Sequence, residues 1–128
     1  MENIAELTVA SRPQTRPHPH LVVDLPDELD VASMPHLRHH LTTLISSGHV
    51  RLVLNAATLD FIDAVGIGAL VYAANRARGE GGWVRLIEVK PKHRRLWLIL
   101  RLDRVLPIYE KLDDALGKAS GTYDSSET

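Results

Sequence analysis

The sequence predicts an α/β protein in which a single mixed sheet of about five strands carries about four helices. Two observations support this prediction. Short apolar, β-branched segments alternate with segments of helical periodicity from residue 20 onward, which predicts parallel strands joined by right-handed crossovers. A chain of 128 residues with 45% hydrophobic and 24% charged positions is also large enough to form one domain with a buried core.

The first two strands are predicted to form an antiparallel hairpin. Leu7 and Val9 alternate with polar neighbours, which is typical of an edge strand with one buried face. The segment 11–19 contains three prolines and predicts a loop, because proline cannot donate a ladder hydrogen bond. The apolar segment 20–25 then predicts the second strand, and a polar turn follows at 26–28.

The first helix has clear start and stop signals. Ser33 is the predicted N-cap, with its hydroxyl expected to accept from a first-turn N–H, and Pro35 fits the first turn. Gly48 is the predicted stop. The apolar positions recur at helical spacing and are Leu37, Leu41, Leu44 and Ile45.

The rest of the chain continues the alternation. Segment 50–54 is short and nearly all apolar, which predicts a central strand covered on both faces. Asp63 is the predicted N-cap of a second helix that ends at Gly79. The later elements are a strand at 83–89, a helix at 91–101, a strand at 105–109 and a helix at 111–118. The domain is therefore expected to span 1–118, and the polar tail at 119–128 is expected to be disordered.

Composition excludes several classes of function. Fifteen Lys and Arg residues against sixteen Asp and Glu leave a net charge of -1, so we expect neither nucleic acid nor a membrane as a direct partner. The absence of cysteine excludes disulfides, thiolate zinc sites and cysteine nucleophiles. The chain shows no signal peptide and no apolar run of the length that spans a bilayer, which predicts a soluble, cytoplasmic protein. No cofactor motif is recognised.

The most unusual stretch is 61–68, where Gly66 and Gly68 stand in a predicted helix. Each glycine costs roughly 1 kcal/mol relative to alanine. Either the glycines leave a bare helix start for an anion or a partner, or they let the helix pack tightly on the sheet, and spacing alone does not separate the two. Position 71 is Val, so the full G-x-G-x-x-G fingerprint of dinucleotide binding is absent.

Three further clusters have a functional and a structural interpretation. Asp30 and Asp63 both follow strands and could pair for acid–base chemistry, but capping is the favoured role. The histidines of the first helix favour a solvated polar face over a metal site, since no further ligand is evident; they are His36, His39 and His40. The basic run at 90–95 predicts either a docking patch for an acidic partner or the solvent-exposed first turn of a helix. The apolar run at 97–100 favours core packing over an interface.

Two segments, LVVDLPDELDVASMPHLRHHL and VRLVLNAATLDFIDAVGIGAL, resemble the STAS domain of anti-sigma factor antagonists. The likeness extends from Leu7 to about Leu116 and implies a STAS-like fold and a binding protein rather than an enzyme. In this family, the unmodified antagonist binds a serine-kinase anti-sigma factor and displaces the sigma factor. Phosphorylation of a Ser or Thr just before the first glycine of the switch helix releases it.

The resemblance implies a partner-binding surface made of Asp30, Asp63, Ala64, Val65, Gly66 and Gly68. Val65 stands at the position of the phosphoacceptor. Since neither Val65 nor Ala64 has a hydroxyl, the usual switch cannot operate at this site. We expect a module that stays in its binding-competent state, or one whose partner is not a kinase.

Two alternatives remain at this stage. The chain could be a non-enzymatic STAS subunit of a larger sensory or transport assembly, which its oligomeric state would reveal. It could also be an enzyme that uses Asp30 and Asp63, in the manner of a receiver or phosphatase. A receiver carries its phosphoacceptor Asp at the end of the central strand, and the residues there are Asn55, Ala56 and Ala57.

Overall fold

The computed structural model describes residues 19–117. The strand predicted at Leu7 and Val9, its antiparallel hairpin and the tail at 119–128 lie outside these residues. The strands are β1 Leu21–Asp24, β2 Glu28–Leu29, β3 Arg51–Asn55, β4 Phe61–Ile62, β5 Trp83–Ile87 and β6 Ile108–Tyr109. The helices are α1 Met34–Ser46, α2 Ala64–Gly79, α3 Pro91–Ile99 and α4 Leu112–Ala115. The predicted α/β class is confirmed.

The main sheet has four parallel strands in the order β1-β3-β5-β6. The central position predicted for the segment at 50–54 is confirmed by β3, which pairs with β1 on one side and β5 on the other. Leu52, Val53 and Leu54 are completely inaccessible to solvent. A strand covered on both faces has no reason to alternate apolar with polar residues, which explains its continuous apolar run.

The two faces of the sheet carry separate apolar clusters. Leu52 and Leu54 pack with the buried faces of α1 and α2 in the main core. Val53, between them, points to the other face and packs with Ile87 and with Ala115 of α4. Successive side chains of a strand point to opposite faces, so this division follows directly from the pleat.

A separate two-stranded sheet is the feature that the sequence did not predict. β2 and β4 pair in parallel, with Glu28 opposite Phe61 and Leu29 opposite Ile62. Each strand has only two residues, too few to show a periodic pattern. The polar residues at 26–28 therefore predict a turn and give no sign of a strand.

The start of α1 differs from the prediction in its hydrogen bonds. Ser33 is the N-cap residue, as predicted, but its hydroxyl does not accept from a first-turn N–H. It accepts instead from the Asp30 N–H at 3.1 Å and donates to the Glu28 carbonyl at 2.7 Å. Through these hydrogen bonds Ser33 connects the start of α1 to β2.

The chain after α3 turns earlier than the sequence indicates. The predicted helix at 91–101 ends at Ile99, and Arg101 adopts a left-handed conformation with φ of 57°. A short 3₁₀ turn follows at 102–104, so β6 starts at Ile108 rather than at residue 105. The buried indole of Trp97 donates to the Leu106 carbonyl at 3.0 Å and holds this turn against α3.

Among residues 19–117, no helix is both long and apolar enough to cross a membrane.

The buried histidine of α3 predicts how stability depends on pH. His93 is 7% exposed, and its Nδ1 has no hydrogen-bond partner among the described residues. Burial, together with the neighbouring Lys92, lowers its pKa below the ordinary value of 6.5. The unfolded chain therefore binds a proton at a higher pH than the folded chain does, and the free energy of unfolding should decrease as pH falls below about 6.5.

Chemical denaturation at a series of pH values between about 7.5 and 5 tests this. We expect His93→Leu to reduce the loss of stability on acidification, whatever its effect at neutral pH. His39→Leu, which removes an exposed histidine, is the matched control and should keep the steeper pH dependence of the parent. Equal slopes for the parent and His93→Leu would contradict the prediction.

Candidate functional site

The small β2–β4 sheet brings the two predicted carboxylates to one edge. Leu29 and Ile62 are opposite each other in the register, and Asp30 and Asp63 are the next residues of their respective segments. The Asp63 N–H donates to the Leu29 carbonyl at 3.2 Å, which fixes the two segments together. Both aspartates therefore follow the same end of this small parallel sheet.

Asp30 holds the loop that leads into α1. One oxygen of its carboxylate accepts from the N–H groups of Ala32 and Ser33, both at 3.0 Å. Because these donors stabilise the charged form, with the Ser33 N–H contributing most, the pKa of Asp30 is lowered. Asp30 therefore keeps its negative charge at neutral pH.

Asp63 caps the first turn of α2. Its carboxylate accepts from the Gly66 N–H at 2.9 Å, and its carbonyl accepts from the Ile67 N–H at 3.0 Å. Each aspartate carboxylate thus accepts hydrogen bonds from backbone N–H groups two or three residues further along its own segment. A general acid needs a raised pKa, whereas that of Asp30 is lowered, so the geometry favours the capping interpretation over a catalytic pair.

The two glycines near the start of α2 have different roles. Gly66 is buried, and a Cβ built on it would lie 2.8 Å from Cγ of Leu29 and 2.9 Å from the Leu29 carbonyl carbon. Gly68 is exposed, and a Cβ there would meet no atom of residues 19–117 within 4 Å. Tight packing therefore explains Gly66, and only Gly68 leaves bare helix surface.

Val65 lies on the outside of α2 with 40% of its surface exposed. Ala64 is exposed beside it. Val65 and Gly68 line a shallow hollow of about 280 Å³ together with Arg38 of α1 and Tyr72 of α2. An aliphatic side chain at this position is available for contact with another molecule.

Two more exposed apolar side chains lie on the segments next to this helix start, and the sequence analysis missed both. Phe61 of β4 is 49% exposed, and Val31, which follows Asp30, is 66% exposed. In β4 the side chain of Ile62 is buried, so that of Phe61 points outward. A two-residue strand gives no periodicity from which this direction could be read. Val31, Phe61 and Val65 together form what we call the apolar rim.

The predicted basic run divides into residues with different roles. Lys92 and Lys90 lie 2.9 Å and 3.5 Å from one oxygen of Asp60. Hydrogen bonding from Lys92, and then the positive charge of both lysines, lowers the pKa of Asp60. These ion pairs attach the start of α3 to the residue before Phe61. The further role as a docking patch stays a prediction.

The remaining clusters are placed as follows. His36, His39 and His40 are all exposed on α1, and within residues 19–117 no group of three His, Asp or Glu side chains is arranged to hold a metal ion. Of the apolar run at 97–100, Trp97 is buried, as the core interpretation expects. Leu98, Ile99 and Leu100 are 50–68% exposed, which core packing does not explain.

The site is an exposed helix start in a parallel α/β domain, and the carboxylates beside it are engaged in capping. Comparison with protein families shows that residues 11–115 match the model described as the STAS domain. The chain belongs to the STAS domain family.

Three similar proteins illustrate this relationship. A Mycobacterium tuberculosis protein named as an anti-anti-sigma factor is 35% identical over 88 residues, which are 66% of this chain and 60% of that protein. An anti-sigma factor antagonist from Mycobacterium paratuberculosis superimposes with a TM-score of 0.67 at 26% identity, over 79% of this chain and 86% of that one. Unphosphorylated SpoIIAA, also an anti-sigma factor antagonist, superimposes with a TM-score of 0.60 at 20% identity, over 74% of this chain and 83% of that one, and shows the shared fold alone.

The different environments of the two glycines predict opposite effects of the same substitution. Gly66→Ala should lower the free energy of unfolding by about 3 kcal/mol, because its Cβ would meet the backbone of Leu29 as well as the Leu29 side chain, and the backbone cannot move aside easily. Gly68→Ala should raise it by up to about 1 kcal/mol through helix propensity. Urea denaturation of both variants measures the difference, and equal effects would contradict this assignment.

Proposed function

We propose that this protein is an anti-sigma factor antagonist that binds a serine-kinase anti-sigma factor through the apolar rim and the start of α2. In this proposal, binding releases a sigma factor, and the protein itself catalyses no reaction. The observation that carries the proposal is the exposed Val65, which lies in the first turn of α2 between the capping Asp63 and the buried Gly66. Membership of the STAS family and the names of the similar proteins support the general role.

The rim has the physical character of a contact surface. Val31, Phe61 and Val65 come from three segments that the β2–β4 pairing and the Leu29 carbonyl hold together. Exposed apolar side chains that are fixed by such contacts lose little entropy when a partner covers them. The ionised Asp30 at the edge of this rim adds a fixed negative charge that can orient the partner.

The proposal includes the absence of a phosphorylation switch at residue 65. A phosphate on this turn would add a charge of about -1.5 to -2 beside Asp63 and would force a partner to desolvate it. Valine cannot accept a phosphoryl group, so this surface keeps its apolar contact while the kinase turns over ATP. The protein would then antagonise the anti-sigma factor for as long as both are present.

Val65→Asp tests the contact surface. We expect the variant to bind a purified serine-kinase anti-sigma factor from the source organism about 3 kcal/mol more weakly than the parent, or about 100-fold in Kd, because an unpaired charge would enter an apolar contact. Isothermal titration calorimetry measures the change. Val22→Asp is the matched control, since Val22 is 44% exposed on β1, and it should bind like the parent. Unchanged affinity of Val65→Asp would remove Val65 from the interface.

Val65→Ser tests the missing switch. With the anti-sigma factor and ATP, the parent protein should gain no phosphoryl group at 60–68, whereas Val65→Ser should gain one. Intact-mass measurement followed by peptide mapping detects the difference, and Ala64→Ser controls for the position of the hydroxyl. Phosphorylation of the parent within this segment would contradict the proposal. Val65→Ser that stays unmodified while it binds the kinase would show that more than the hydroxyl is missing.

A further inference from the structure

A groove between α1 and α2 continues from Val65 along the surface. Its volume is about 510 Å³, and Arg38 and His39 of α1 and Tyr72 and Arg76 of α2 contribute to its walls. Arg38 and Tyr72 also line the smaller hollow that contains Val65. The groove and the exposed start of α2 therefore form one continuous surface.

Two arginines and one aromatic ring share this groove. The Arg38 guanidinium lies 4.3 Å from the centroid of the Tyr72 ring, a cation–π arrangement. Arg76 and, to a lesser extent, Arg38 lower the pKa of the Tyr72 hydroxyl from its ordinary value of 10.0. Arg76 also donates to the Ser46 hydroxyl at 3.3 Å. These contacts hold the arginine side chains in the groove, and a guanidinium group always carries a positive charge in proteins.

No carboxylate balances this charge from the two helices. Neither α1 nor α2 contains an aspartate or a glutamate, although the whole chain has 16 of them. Within residues 19–117 the Lys and Arg ion pairs are those of Asp60 with Lys90 and Lys92, on another part of the surface. The groove is thus a positively charged site in a chain whose net charge is -1.

We propose that this groove receives an acidic segment of the anti-sigma factor, with carboxylates of the partner on Arg38 and Arg76. The inference rests on the proposed function and adds the chemistry of the partner's contact. Guanidinium groups match carboxylates in a bidentate geometry, which gives direction as well as affinity. A second copy of this chain does not fit, because a symmetric contact would bring the arginines of both copies together.

The charges along the surface also give the partner one orientation. Asp30 adds a negative charge next to Val31 of the apolar rim, whereas Arg38 and Arg76 add positive charge in the groove that continues from Val65. A partner with a basic residue, an apolar contact and an acidic segment would match all three. Such complementarity acts mainly on the rate of association and on specificity.

The test uses the double variant Arg38→Glu/Arg76→Glu, with binding to the anti-sigma factor followed by stopped flow at low and at high salt. We expect Kd to rise at least about tenfold, mainly through slower association, and the salt dependence of association to decrease. Arg101→Glu/Arg104→Glu makes the same change of charge at exposed arginines outside the groove and outside the basic run at 90–95, and should have a much smaller effect. If circular dichroism shows that the charge-reversed double variant does not fold, the neutral double variant Arg38→Gln/Arg76→Gln is measured instead.

The outcomes separate this inference from the proposed function. If Val65→Asp abolishes binding and the groove variants bind like the parent, the groove is not used and the inference fails while the function stands. Equal losses from the groove pair and the control pair would also overturn it, because they would reflect net charge alone. If the parent does not bind the anti-sigma factor, both proposals fail. Restored binding when an acidic residue of the partner is changed to arginine would support the groove contact directly.

Discussion

The contact between Leu29 and the first turn of α2 determines the geometry of the surface. The Leu29 carbonyl accepts from the Asp63 N–H, and the same residue packs where a side chain of residue 66 would be. This contact fixes the angle at which α2 leaves the small sheet. Gly66 faces inward, and Val65, about 100° further round the helix, faces outward and stays exposed.

The same region shows how one sequence stretch can serve stability and binding together. Asp63 satisfies a first-turn N–H, Gly66 allows close approach to β2, and Val65 and Gly68 form the exterior. The Asp63 carboxylate is engaged in capping and Gly66 is covered by Leu29, so neither is free to contact another molecule. The remaining exterior is aliphatic and bare, which suits recognition of another surface better than chemistry on a small molecule.

Several site residues could be identified from the sequence only by position, and their roles required the fold. Spacing placed Gly66 and Gly68 in one helix but could not assign one to packing and the other to the surface, because the deciding neighbour, Leu29, is distant in the chain. Phe61 lies in a strand of two residues with no pattern to read. Arg38 and Tyr72 meet only because α1 and α2 pack side by side.

Local patterns in the sequence were sufficient for the α/β class, the order of the main elements, the capping position of Asp63 and the lack of a hydroxyl at residue 65. These depend on residues close together in the chain, where periodicity and backbone chemistry decide the outcome. The small β2–β4 sheet, the outward direction of Val65 and the positive groove were decided by tertiary structure. Each depends on segments that are far apart in the sequence. The burial or charge at one position is then set by a residue that is its neighbour in space but distant along the chain, which a local pattern cannot show.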